Sequence, residues 1–166
     1  MATAGAGTRV ESVVPGRSTS GDAVVNDCVV LAQTASSLRC VWHRPVDEYG
    51  DGYWYALQVD LRDDGLVARG RSALDRREGV DLPGFLSGLA QRRRGWGGTL
   101  SWMSLEREKA LEAPHHGRRV TLAVIRRRPQ CSYDPGAWSV RVVFDLERGE
   151  QLSNLAREAA AVLVRR

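Results

Sequence analysis

Residues 53–74 read YWYALQVDLRDDGLVARGRSAL, and this stretch decides the fold. Tyr53, Tyr55, Leu57, Val59 and Leu61 alternate with Trp54, Ala56, Gln58 and Asp60, the period-two pattern of a strand with one better-buried face. Asp64-Gly65 follows, a dipeptide that favours a type I′ turn because both central residues of that turn take positive φ. Leu66 to Leu74 is therefore expected to return as the antiparallel partner.

Upstream, Val24, Val25, Val29, Val30 and Leu31 form a β-branched run, and Leu38, Val41 and Trp42 follow a polar turn at Thr34 to Ser37, so two more strands are expected there. Pro45 to Gly52 (PVDEYGDG) reads as a surface loop. Residues 1–21, rich in Ala, Gly, Ser and Thr, read as a mobile N-terminal tail, and residues 22–166 as a single domain.

Downstream, Leu82, Phe85, Leu86 and Leu89 carry helical spacing, with Asp81 as the cap and Gly95 at the C-terminal end. Arg92, Arg93 and Arg94 are expected in its last turn, where the helix dipole favours cations. Strands are expected at Thr99 to Leu105, Glu108 to Ala113, Arg118 to Arg127 and Trp138 to Leu146, with a turn at Pro114 to Gly117. Leu152, Leu155, Ala156, Ala159 and Leu163 stripe a closing helix that begins near Gly149. Strands in runs with helices after them predict an α+β domain, mainly antiparallel sheet with two amphipathic helices. The repeated order of strands and then one helix points to a structural duplication.

The 166 residues are 43% hydrophobic, enough for an ordinary core without disulfides or a structural metal. No apolar run reaches the roughly 18 residues that cross a bilayer, and the N-terminus lacks the basic-then-apolar order of a signal peptide, so a cytoplasmic protein without membrane contact is expected. The net charge is +4, but Arg accounts for all the basic residues except Lys109, a ratio typical of a GC-rich genome rather than of a nucleic-acid surface.

No motif assigns chemistry. Cys28 and Cys40 belong to no Cys-x-x-Cys pair and read as reduced core thiols. His115, His116, Cys131 and His43 match no zinc spacing, and neither a Gly-x-Ser-x-Gly elbow nor a phosphate-cradling glycine loop occurs, so neither catalytic residues nor cofactors are expected. Trp42, His43, Asp47, Glu48, Tyr49, Asp51 and Trp54 instead surround an acidic, glycine-punctuated loop of the kind that anchors protein interfaces. The leading expectation is thus a non-enzymatic module that binds an unidentified protein partner. The alternatives are a basic nucleic-acid-associated module using Arg92, Arg93, Arg94, Arg126, Arg127 and Arg128, and a small-molecule binder or enzyme without a recognisable motif.

Several segments carry a resemblance. Asp51 to Leu57 (DGYWYAL), Asp81 to Leu89 (DLPGFLSGL), Gly95-Trp96, Trp102 with Ser104-Leu105-Glu106, and the last strand and helix together resemble an uncharacterised actinobacterial domain-of-unknown-function family. The order of elements is also similar to small immunity proteins of wall-associated polymorphic-toxin systems, which implies binding and blocking of a cognate toxin. Arg107 departs from that pattern, which has glycine after Leu105-Glu106.

Overall fold

The computed structural model describes residues 8–13, 27–75, 81–128 and 138–164. Val24, Val25 and Cys131, and residues 1–7 and 14–21 of the expected tail, lie outside these residues. Their ten strands and two helices make an α+β fold built on two antiparallel sheets.

In the first sheet, β1 (Thr8–Val13), β2 (Cys28–Gln33), β3 (Arg39–His43), β5 (Trp54–Asp63) and β6 (Leu66–Asp75) pair in chain order. The short β4 (Val46–Asp47) also pairs with β5. Trp42 opposes Val59 and Val46 opposes Ala56, so three residues of the β3–β4 side face two of β5. This is a β-bulge, and it falls where Pro45 has no N–H to give a ladder. After α1 (Leu82–Gln91), the second sheet runs β7 (Thr99–Met103), β8 (Lys109–His116), β9 (Arg119–Arg127) and β10 (Ser139–Glu147), again in chain order, and α2 (Glu150–Leu163) follows. Each half is therefore a meander with one helix after it.

Alternation places the side chains. Cys40, Trp42, Leu57, Val59 and Leu61 of the first sheet share one apolar core with Leu111, Leu122, Val124, Phe144 and Leu146 of the second. Leu82, Leu86 and Leu89 join it from α1, as does the expected stripe of α2. The helices touch each other, and α2 also lies against β1, β2 and β10. There Gln151 Nε2 donates to Thr8 O at 2.8 Å, and Gln33 Nε2 of β2 donates to Val143 O of β10 at 3.1 Å.

Four local expectations change. Thr8–Val13 falls within the expected tail but forms an edge strand against β2, with Thr8 buried and Val10 packed on the core. The Asp64-Gly65 hairpin forms, but only Gly65 takes positive φ (+70°), so the turn is not type I′; the Asp63 carboxylate holds it by accepting from Asp64 N and Ser37 Oγ. Arg92 caps α1, which puts Arg93 and Arg94 beyond the helix rather than in its last turn. Pro114, His115 and His116 belong to β8, and the turn sits at Gly117-Arg118. The β8–β9 ladder is interrupted around Pro114, between the pairs Glu112↔Ala123 and His115↔Val120, where a residue without an N–H does least harm.

Candidate functional site

The loop after β4 is folded by its own acids. Asp47 Oδ1 accepts from Gly50 N at 2.7 Å and Oδ2 from Gly52 N at 3.0 Å, while Asp51 Oδ1 accepts from Tyr53 N at 2.8 Å and Trp54 N at 3.1 Å. Gly50 and Gly52 both sit at positive φ, so the chain reverses tightly and turns the loop's aromatic residues outward. Tyr49 is 75% exposed and Tyr53 half exposed, so the loop presents two aromatic rings to solvent.

Beside this loop lies a groove of about 630 Å³. Glu48, Tyr49, Asp51, Trp54 and Tyr55 form one wall, Arg71 and Ser72 of β6 the base, and Glu106 and Glu108 of the β7–β8 turn the far side. Both sheets thus contribute. Glu48 pairs with Arg71, the only cation among the lining residues. Glu108 is 5% and Ser72 4% exposed, and neither Glu108 Oε2 nor Ser72 Oγ makes a hydrogen bond. Burial raises the Glu108 carboxyl above its ordinary range, the nearby Glu106 charge adds to this, and Arg126 and Lys109 partly oppose it.

The turn that presents these two acids is strained. Arg107 between them has φ +58°, the only positive value at a non-glycine position among the described residues. Arg107 N donates to Ser104 O, while Ser104 N and Oγ bond Lys109 O and N, so the reversal is closed by Ser104. Arg107→Gly is expected to relieve the left-handed strain of about 1–2 kcal/mol. Part of this is returned to the freer unfolded chain, leaving a net gain of about 0.5 kcal/mol in urea denaturation, with unchanged m. Glycine thus fits the backbone at this position better than arginine does.

Behind the groove, the chain's one lysine closes the seam between the sheets. Lys109 is 5% exposed, and its Nζ donates to Leu57 O of β5. Arg126 is buried beside it, with Nη1 donating to Arg127 O at 2.6 Å and the guanidinium 6.0 Å from the Trp138 ring. Its planar end lies where a Cβ on Gly70 would stand, so the open face of that glycine is what lets β6 and β9 meet.

The residues expected at a partner surface therefore divide. Glu48, Tyr49, Asp51 and Trp54 line the groove, and Asp47 folds the loop from beneath. Trp42 is corrected: at 2% exposure it belongs to the core, because alternation along β3 turns it inward with Cys40. His43 points to the opposite face of the sheet, its Nε2 3.5 Å from Asp60 Oδ2, which Arg62 and Arg69 also approach. The expected basic clusters do not merge. Arg93 shares a pocket of about 490 Å³ with Arg118 and Arg148 at the start of α2, whereas Arg127 and Arg128 lie at the other end of the nine-residue β9, about 27 Å away by strand rise. Arg126 is lost to that surface altogether, being buried. His115 is engaged too: its ring lies 5.1 Å from Trp96 and its Nε2 3.0 Å from Arg148 Nη1. Among the described residues, no three His, Cys, Asp or Glu side chains are grouped to hold a metal ion, and no helix is long and apolar enough to cross a membrane.

Glu106, Glu108 and Ser72 carry no signal by which local reading finds them. An acid at a strand start reads as solvated, and only the docking of the β7–β8 turn onto β6 buries it.

No curated protein and no solved structure matches the chain. The model of a family of unknown function, DUF6228, matches residues 30–166, which takes in every wall of the groove, and the chain belongs to that family.

Proposed function

We propose that the protein is a non-enzymatic binding module, of immunity type, that holds a protein partner across the groove between the β4–β5 loop and the β7–β8 turn. One observation carries this reading: Tyr49 stands 75% exposed on a loop whose backbone is fixed by the Asp47 and Asp51 carboxylates. A rigid exposed aromatic loses little freedom when it is covered, which is what an interface anchor needs. The order of elements, similar to that of small immunity proteins, agrees with it.

The test is capture from the native cytoplasm, with nuclease present, followed by affinity measurement with the recovered partner. Tyr49→Ala is expected to weaken binding at least about tenfold while moving stability by no more than about 0.5 kcal/mol. Unchanged affinity would count against this surface. A second reading draws on Arg93, Arg118 and Arg148, which share one pocket with Glu147 and Glu150 and leave it a positive balance for a phosphate backbone. Partners that vanish on nuclease treatment, with binding that falls steeply in salt, would favour it.

A further inference from the structure

Resting on the reading of the groove as a partner surface, we propose that it receives a cationic side chain, an arginine guanidinium in the first instance, from a basic segment of the partner.

The groove is built for such a group. Of its four carboxylates, Glu48 is paired with Arg71 and Asp51 serves the loop backbone, while Glu106 and Glu108 bond each other and Glu108 also faces the Arg126 and Lys109 charges, yet its Oε2 is left for a ligand. Glu108 and Ser72 are each more than nine-tenths buried, and Glu108 Oε2 and Ser72 Oγ both lack a hydrogen-bond partner. A buried acceptor left unmade costs about 1–3 kcal/mol, so two such atoms at one site mark the place of missing donors. A guanidinium offers five N–H groups in a planar fork, enough for a carboxylate and a hydroxyl together. Tyr49, Trp54 and Tyr55 line the same groove and supply ring faces that attract a cation. The charge of the groove is thus opposite to that of the chain as a whole, which is +4. A basic partner segment would find an acidic recess here on a chain of net positive charge, and this would favour one register.

The probe is the peptide acetyl-Gly-Arg-Gly-Arg-Gly-amide, titrated into the full chain and followed by backbone and indole NMR shifts. Its citrulline counterpart keeps the shape and removes the charge. Saturable shifts at Ser72, Glu108 and the Trp54 indole are expected with the arginine peptide, and at least about tenfold weaker binding with citrulline. Glu108→Gln, which keeps the volume, should weaken the arginine peptide at least about tenfold. Glu106→Gln and Ser72→Ala should each weaken it less, and they keep the test decisive if Glu108→Gln fails to fold. No shifts up to about 10 mM peptide, equal binding of the citrulline form, or unaltered affinity in all three variants overturns the proposal. So does a concentration-dependent dimer in sedimentation that the same variants dissolve, since the cation would then come from a second copy. The two readings fail separately. Partner capture lost in Tyr49→Ala with no peptide binding sinks only the cation proposal, whereas peptide binding with capture indifferent to Tyr49 sinks only the aromatic anchor.

Discussion

Trp42→Ala is expected to lower stability by about 3–5 kcal/mol, a large part of the roughly 5–15 kcal/mol that holds a domain together. Trp42 is 2% exposed and lies in the core shared by both sheets, so truncation removes packing that neither sheet can replace by closing in. Urea denaturation followed by circular dichroism checks this, as a lower midpoint at unchanged m. The contrast with Tyr49→Ala is the informative part. Two aromatic residues seven positions apart in sequence should separate completely, one destabilising the fold and the other only weakening a complex. A Trp42→Ala protein with native stability would mean the core is not packed as described.

Between pH 7 and 9, stability is expected to rise by roughly 2 kcal/mol. Burial draws the Lys109 ammonium down to about 7 from 10.5, and the neighbouring Arg126 charge adds to this against smaller opposing effects of Glu108, Cys40 and Asp60. In this window the unfolded chain keeps its proton and the folded chain has lost it. The unfolded state binds more protons, so stability increases with pH, at up to about 1.4 kcal/mol per unit. Above pH 9 the gain is checked by Cys40. Burial raises that thiol well above its ordinary value, so it stays protonated in the fold while the unfolded thiol ionises, and this favours unfolding. Lys109→Met should flatten the rise between pH 7 and 9. At pH 9 it should also cost about 1–3 kcal/mol, because Leu57 O loses its donor. Denaturation midpoints of both proteins across this range decide it, and a wild-type curve that is flat or falling would show that Lys109 is solvated.

The elements legible in the sequence are those with an undisturbed period. β5 and β10 alternate over nine or ten residues, β6 follows from the Asp64-Gly65 turn, and both helices keep their apolar stripe, so each is found close to its bounds. β1 is hidden because six residues with small and polar neighbours show no run, and the strand exists only through the edge of β2 and the cover of α2. Half the groove was visible in the same way. The acidic aromatic loop announces itself as a cluster, whereas Ser72 of β6 and Glu108 of the β7–β8 turn come together across 36 residues of sequence, through the meeting of two sheets that no local pattern encodes. Trp42 shows the reverse error. A residue beside a conspicuous loop is read with the loop, although its strand parity assigns it to the interior.

The burial of Lys109 leaves the folded chain with no side-chain amine at its surface. Acylating reagents, and any enzyme that modifies lysine, reach this ε-amine only when the two sheets part. The rate of its labelling, corrected for the terminal amine, therefore counts how often that seam opens, without an introduced probe.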